Sequence, residues 1–527
     1  MSDNPTRETS VARKIIRNTF FNIIGRLWGI LAALLLTPYI IERIGIERYG
    51  IWAITGVVTG YFGLLDFGIG TSFVKYMAEH YTIRDFRKIN EVVNTGFVFY
   101  SVVAVLIILP AYYLVGPLVS VFNIPHDLRG EAEFVFLLGI ILFAVSGAMS
   151  PFAAVQGGLQ RMDITNKAAI GVSAAGIIGT VAFLEAGWGL PGLMINNAIM
   201  LAVSSIVNIC IAFRILPELK FNPMLSSPDM FRRLAGFGVR MQIARIASMV
   251  SVNMDKLLIG YFLSIGLVAF YQLGSSIVEK TKSVALLFLS ALVPAFSEID
   301  ASGGREKLIE GYLRGTKYLA LISVPLFVFV IISAPQIMKV WMGDGYEKSA
   351  WIIRIIGAGW LCAVLAGVRG AVVQAIARPG MEMRAGLVAV ALNLPLSIIF
   401  ITHFGFMGVA FGTLIALFFS AVYGFVTLHR EIRLPLRRFR ETSVITAAAV
   451  CITAALPVYG LTPVLSEFAG GQGRMTGLVL FIAQAVLFFG VYLAALLYIR
   501  PLNHTDVMLL AGDRLPAVRR MMARFSK

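Results

Sequence analysis

Basic side chains within long apolar stretches are the residues of this sequence best placed to do chemistry. A charge that faces lipid near the centre of a bilayer costs at least about 3 kcal/mol, so such residues normally face a protein interior or water. Near the ends of apolar stretches a long side chain can reach the water interface, and this applies to Lys75, Arg240 and Arg354. Six basic residues lie deeper and are candidates for binding an anion: Arg26, Arg245, Lys256, Lys280, Lys282 and Arg369.

Acidic residues are fewer in the same stretches. Glu185 lies at the end of one of them, and three acids lie deeper, namely Asp66, Asp255 and Glu279. Three deep acids against six deep bases predict an interior of net positive charge. Such an interior attracts a phosphate-bearing partner.

Some of these charges could instead neutralise one another. Asp255–Lys256 and Glu279–Lys280 are sequence neighbours that point in different directions on a helix, whereas Glu279 and Lys282 could pair across one turn. Asp66 could neutralise Arg26 or Lys75, or it could titrate during a coupling step. The residue types leave both alternatives open.

The elements that carry these charges are expected to be membrane-spanning helices. Of 527 residues, 58% are hydrophobic and only 14% are charged, against roughly 25% charged in an ordinary soluble domain. The apolar blocks run for about 20 residues, the length that crosses a hydrocarbon layer as a helix. We predict fourteen spans, the first retained rather than cleaved as a signal peptide. They lie at 19–41, 50–76, 92–115, 132–157, 167–186, 190–213, 234–262, 266–296, 315–335, 351–377, 385–402, 407–428, 442–460 and 476–499.

The sequence repeats itself at long range. "AAVQGGLQRMDITNKA" at 153–168 is echoed by "GAVVQAIARPGMEMRA" at 370–385, with Gln374 in the place of Gln156. Pro335 follows Pro117 at the same offset. Spans one to six and seven to twelve are therefore predicted to be two copies of one six-helix unit, related by an axis along the membrane normal.

This repeat predicts the domains and the site. We expect an N-terminal lobe at 1–216, a C-terminal lobe at 217–433, two further spans within 434–500 and a basic cytoplasmic tail at 501–527. Arg26 and Arg245 are separated by nearly the repeat offset and so occupy equivalent places in the two copies. They are expected to confront each other across a cleft, where two cations repel unless an anion or water lies between them. The alternative is that each arginine pairs within its own bundle.

The basic residues also predict the orientation. The formal net charge is +16, and of 45 lysines and arginines thirty fall in the loops and tails of one side and six in those of the other. Positive loops stay in the cytoplasm, so both termini are expected there. Because the excess is explained by loop retention, we expect no nucleic-acid partner.

Several chemistries have no signature in the sequence. Cys210, Cys362 and Cys451 lie in apolar blocks without CxxC spacing, and the five histidines are scattered, so we expect neither disulfides nor a metal site. A Walker loop, an HExxH motif and a GxSxG elbow are missing, which favours a transporter over an enzyme. A membrane polymerase or ligase would also be expected to have a large outward loop.

Two quoted stretches carry a resemblance to a known family. "PYIIERIGIERYGIW" at 38–52 and "YFGLLDFGIGTSFVKYMAEH" at 61–80 resemble the first two helices of the oligosaccharide-lipid flippases, the Wzx or polysaccharide-transport group. These belong to the multidrug/oligosaccharidyl-lipid/polysaccharide exporter (MOP) superfamily. The similarity runs over most of the chain.

The resemblance implies an all-α, MATE-like fold of two pseudo-symmetric six-helix lobes plus two C-terminal helices, opening alternately to each side of the bacterial inner membrane. It implies a cargo, an undecaprenyl-pyrophosphate-linked oligosaccharide of an O-antigen, capsule or exopolysaccharide, moved from the cytoplasmic to the periplasmic leaflet. The last two helices would border a groove for the lipid tail. The cationic cavity of the family would correspond here to Arg26, Arg245, Lys256 and Arg369.

Other functions within the superfamily remain open. A lipid II flippase would share the fold and the cationic cleft. A multidrug exporter would usually stop at twelve spans and bind cations through acids, whereas span one here holds an arginine. No cofactor is expected, although transport could be coupled to a proton or sodium gradient through Asp66, Asp255 or Glu279. Membrane lipids and other glycan-assembly membrane proteins are the expected partners besides the cargo.

Overall fold

The computed structural model describes residues 5–66, 69–301, 304–376, 378, 380–435, 438, 444–468 and 474–499. In this part of the chain the regular structure is entirely helical, with seventeen α-helices and short 3₁₀ turns. The chain divides into two compact units, residues 1–269 and 270–527. The α-helices are α1 (Pro5–Ile44), α2 (Ile46–Phe62), α3 (Ile69–Thr82), α4 (Phe86–Ser120), α5 (Arg129–Gly158), α6 (Met162–Glu185), α7 (Gly189–Ile215), α8 (Pro228–Phe262), α9 (Ile265–Ala301), α10 (Arg305–Ile332), α11 (Ala334–Met342), α12 (Glu347–Leu365), α13 (Gly367–Ala375), α14 (Gly380–Phe404), α15 (Phe406–Glu431), α16 (Val444–Phe468) and α17 (Arg474–Ile499).

Long apolar helices dominate both units, as the composition predicts. Within the described ranges, ten helical segments are long and apolar enough to cross a membrane by length and composition. They include α4 to α7 in the first unit and α14, α15 and α17 in the second. The four other predicted spans correspond to α2 with α3, α8, α9 and α16. The all-α fold is therefore confirmed.

Two predicted spans are broken near their middle. The stretch 351–377 folds as α12 and α13, which are separated at Ala366. The stretch 50–76 folds as α2, a 3₁₀ turn at Gly63–Asp66 and then α3. The carboxylate of Asp66 accepts a hydrogen bond from the backbone N–H of Gly70 at 3.1 Å, in the first turn of α3. Aspartate competes in this way for backbone donors and favours helix starts over helix interiors.

The internal repeat appears in the helix boundaries. The start of α12 follows that of α5, and the start of α14 follows that of α6, at the same offset that separates Gln374 from Gln156. A left-handed glycine precedes or opens the next helix in each copy, Gly189 (φ 55°) at α7 and Gly405 (φ 59°) at α15. A left-handed backbone suits glycine because it lacks a Cβ. These helix starts agree with the internal repeat, and the lobe boundaries at 216 and 433 stay a prediction.

Polar contacts repeat less faithfully than the helices. Asn196 on α7 donates to Thr180 on α6 at 3.1 Å, whereas Asn393 on α14 donates to Thr413 on α15 at 2.9 Å, so the two residue types exchange helices. Gln156 is buried and joins α5 to α7 through a 2.7 Å hydrogen bond. Its sequence counterpart in the second copy is exposed.

Each unit has its own apolar core. In the first unit, α3, α4 and α5 pack around Phe73 and Phe152, and Leu234 of α8 belongs to the same core. In the second unit α16 and α17 lie against α10, where Phe329 contacts Phe488 at a ring distance of 5.6 Å. The two helices outside the repeat are therefore packed parts of the second unit.

Candidate functional site

The two arginines predicted to line a cleft lie on described helices, but their side chains are not among the described ones. Arg26 lies on α1 and Arg245 on α8, but both side chains lie outside the described residues, as does that of Arg240. Their confrontation across a cleft stays a prediction.

In the first unit, the pair Asp255 and Lys256 lies on α8. Both side chains are buried, at 1% and 6% exposure. Tyr61 on α2 lies within electrostatic range of Asp255, and α8 also packs against the turn that carries Asp66. Two of the predicted acids therefore lie on elements in contact.

Asp66 lines a cavity in the first unit. The hydroxyl of Tyr100 on α4 donates a short hydrogen bond to its carboxylate, and the cavity, about 370 Å³, is otherwise lined largely by apolar side chains. Ser150 on α5 also lines it and places a buried hydroxyl there that has no hydrogen-bond partner among the described residues. The arrangement presents a carboxylate and hydroxyl oxygens, which can hold a proton or a small cation.

In the second unit, the predicted site residues of α9 differ in their exposure. Glu279 is exposed, whereas Lys280 and Lys282 are partly buried. The ammonium of Lys282 lies 3.7 Å from the centroid of the Trp360 ring on α12. Among the described side chains, neither lysine makes an ion pair, so the suggested Glu279–Lys282 pair does not form. An aromatic face stabilises a cation without neutralising it.

Arg369 lies on α13 and is 5% exposed. Its guanidinium pairs with Glu382 on α14 at 2.9 Å, while Nε and the second terminal nitrogen have no hydrogen-bond partner in the part of the chain described. Gly424 on α15 makes room for it, since a Cβ there would lie 2.6 Å from Nε. Tyr312 and His429 form a neighbouring buried pair at 3.1 Å. This arginine is thus held within its own unit.

Of the three basic residues predicted to lie near span ends, the side chains of Lys75 and Arg354 are described. Lys75 is exposed, and Arg354 lies over the ring of Trp351 at 5.0 Å. Glu185 accepts from Tyr39 and pairs with Arg43, both at 2.6 Å. Glu185 and Arg43 therefore neutralise each other at the margin of the apolar stretches.

Sequence reasoning missed the partners of the deep charges. Tyr100, Trp360 and Glu382 each lie on a different element from the group they contact. The sequence offers one signal, that each is a polar or aromatic residue in or beside an apolar stretch. That signal does not say which charge it will meet.

Solved structures of other proteins share this fold. The lipid II flippase MurJ in an inward closed conformation superposes with a TM-score of 0.68 at 16% identity, covering 91% of this chain and 98% of that one. An inward-facing multidrug resistance MATE family transporter of the MOP superfamily gives 0.61 at 16% identity, covering 78% and 96%. With the ten apolar segments, these likenesses define a multi-pass membrane protein with the fold of the MOP transporters, as expected.

A family comparison is more specific. Residues 15–300, more than half of the chain, match the family described as "Polysaccharide biosynthesis protein". A Shigella flexneri protein described as "Putative O-antigen transporter" is 21% identical over 403 residues, which is 75% of this chain and 93% of that protein. The chain belongs to the polysaccharide biosynthesis protein family.

Proposed function

We propose that this protein is a flippase that moves an undecaprenyl-pyrophosphate-linked oligosaccharide from the cytoplasmic to the periplasmic leaflet of a bacterial inner membrane. Its termini would both be cytoplasmic, in agreement with the distribution of basic loops. The family membership and the relative described as an O-antigen transporter support a lipid-linked glycan as cargo.

The observation that carries the proposal is the pair of lysines on α9. Lys280 and Lys282 lie within an apolar helix and have no ion-pairing acid among the described residues, and Lys282 is held over Trp360. Keeping a cation in such a place is costly unless a negative charge arrives to compensate it. The pyrophosphate of a polyprenyl carrier supplies that charge. Arg26, Arg245 and Lys256 belong to the same proposal, whereas Arg369 already has a carboxylate partner.

The test is a complementation experiment in a strain that lacks this flippase. Lys282→Met is expected to reduce surface glycan and to leave lipid-linked repeat units in the inner leaflet, at an unchanged amount of protein in the membrane. Lys307→Met, an exposed lysine of α10, is the matched control and should complement fully. Full surface glycan with the double variant Lys280→Met/Lys282→Met would rule out a role of these cations in cargo binding.

The lipid II flippase is the second candidate, favoured by the extent of the structural likeness. It predicts rescue of cells depleted of their lipid II flippase, which a flippase dedicated to another glycan would not give. A multidrug exporter would instead raise the tolerated concentration of cationic drugs. The three readouts separate the alternatives without requiring the identity of the sugar.

We further propose that Asp66 couples transport to a proton or sodium gradient. Its carboxylate lies in a cavity with Tyr100 and Ser150, so a cation that binds there would compete with the Tyr100 hydrogen bond. Asp66→Asn is expected to abolish the dependence of transport on the gradient, and Tyr100→Phe to alter it while leaving the carboxylate in place. Transport by Asp66→Asn that still responds to the gradient would refute this role.

A further inference from the structure

A basic cavity lies where α13, α14 and α15 end or begin, in the second unit. Its volume is about 540 Å³. Arg378 lies in the connection between α13 and α14, Arg384 in the second turn of α14, and Arg430 and Glu431 in the last turn of α15. Three arginines against one glutamate give the lining an excess of two positive charges.

The three arginines differ in how many hydrogen bonds and ion pairs they make within the protein. Arg378 pairs with Glu431 at 2.6 Å, which fixes one wall of the cavity. Arg384 uses only Nε, which donates to the carbonyl of Gly380 at 3.3 Å. Arg430 is exposed and makes neither an ion pair nor a side-chain hydrogen bond within the described ranges. Two guanidinium groups therefore keep donors for a ligand.

Two of these arginines are specific to the second copy. The helix junction of the first copy is built in the same way, since α6 corresponds to α14 at the repeat offset. At the positions that correspond to Arg378 and Arg384 it carries Gln160 and Asn166. The first copy therefore forms its junction without arginine at these two positions, although Arg161 lies beside Gln160 and pairs with Asp163 at 3.3 Å. Arg384 and Arg430 pair with no acid within the described ranges and are available to a ligand.

Apolar side chains continue from the cavity along the outer faces of the same two helices. Met383 and Leu387 on α14 are 42% and 51% exposed, and Val426, one turn before Arg430 on α15, is 38% exposed. In a membrane-spanning helix such side chains meet acyl chains. A cationic cavity followed by a lipid-facing apolar strip matches a phospholipid, with its headgroup above its tails.

We propose that this cavity binds the phosphate of an anionic phospholipid in the leaflet that the basic loops face. A guanidinium fork bonds two phosphate oxygens at once, and Arg384 and Arg430 each offer such a fork. The bound lipid would join the start of α14 to the end of α15. This site is separate from the cargo cations of α9 and does not depend on the proposed cargo.

The experiment measures lipid retention by the full-length protein in detergent, with phosphatidylglycerol or phosphatidylcholine added, by native mass spectrometry. The wild type is expected to retain phosphatidylglycerol preferentially. The double variant Arg384→Gln/Arg430→Gln should bind it about 10-fold more weakly, because two charge-assisted contacts are lost. Arg87→Gln is the matched control, since Arg87 is an exposed arginine in the first turn of α4, in the first unit.

Two further variants keep the result decisive. Arg430→Gln alone removes an exposed side chain that makes no ion pair within the described ranges, so it should fold even where the double variant does not, and it should still weaken phosphatidylglycerol binding. Leu387→Gln should weaken lipid binding without changing the affinity of the cavity for inorganic phosphate. The proposal is wrong if both lipids are retained equally, if Arg430→Gln and Arg87→Gln bind alike, or if inorganic phosphate displaces the lipid at equal concentration.

Discussion

The buried guanidinium of Arg369 depends on a single described carboxylate, and its removal makes a quantitative test. Glu382→Gln keeps the shape of the side chain and removes its charge. Breaking a fully buried ion pair costs about 3–5 kcal/mol, because one charge is left uncompensated. The side chain of Arg369 is 6% exposed but that of Glu382 is 48% exposed, so water replaces part of the lost interaction. We expect a loss of about 2 kcal/mol in the free energy of unfolding, roughly a 30-fold change in the unfolding equilibrium.

The assay follows a buried thiol of the same unit. Cys451 is buried on α16, in the core that also includes α10, and α10 packs against α13. In a Cys210→Ser/Cys362→Ser background, a thiol-reactive dye labels Cys451 only when this core opens. Labelling across a denaturant series then gives the free energy of unfolding of the wild-type and variant proteins.

The control is a comparable pair on the surface. Glu310→Gln removes the ion pair of Glu310 with Arg314 on α10, at 2.6 Å and with both side chains partly exposed. Such pairs contribute less than about 1 kcal/mol. The double variant Arg369→Leu/Glu382→Leu should recover most of the stability, because no charge is left unpaired. Equal losses in Glu382→Gln and Glu310→Gln, or a double variant no more stable than Glu382→Gln, would refute the reasoning.

Three further outcomes can be measured. Burial lowers the pKa of His80 below its ordinary value of 6.5. Below about pH 6.5 the unfolded chain therefore binds a proton that the folded chain does not bind, and the midpoint of thermal unfolding should fall. The decrease should be smaller in His80→Leu. Trp360→Leu should lower transport more than Trp360→Phe, because only the phenyl ring keeps a face for Lys282; equal activities would exclude the cation–π contact. Gly424→Ala should destabilise the second unit by about 1–3 kcal/mol in the thiol assay, because a Cβ there collides with Arg369; an unchanged value would mean that the arginine has room to move.

Apolar runs predicted much of the helical architecture. The prediction of a span at 132–157 corresponds to α5 (Arg129–Gly158), and that at 190–213 to α7 (Gly189–Ile215). Besides the separation of α12 from α13, two local features were not predicted. The break at Gly63–Asp66 lies within a continuous apolar run, and the short helix α11 (Ala334–Met342) was expected to be a loop. In both places a hydrogen bond or a proline decides the backbone, and these terms are invisible to a hydropathy window.

The candidate site was less accessible to sequence reasoning. Charge counting found the buried Lys256 and Arg369 and the cavity residue Asp66, because an ionisable group in an apolar run stands out wherever it points. It treated Lys282 and Arg369 as equivalent cations. The structure distinguishes the two cations, because Lys282 contacts an indole ring whereas Arg369 forms an ion pair with a carboxylate.

The sequence by itself determined the membrane class, the positions of most long helices and the repeat of the chain at a fixed offset. These depend on transfer of side chains from water to hydrocarbon, and that free energy is a sum over local composition. Only the tertiary structure decided which charges are compensated. The rotation and offset of each helix, set by packing against its neighbours, bring Tyr100 to Asp66 and Glu382 to Arg369. These contacts join residues from separate helices, and the distance between such residues cannot be calculated from local composition.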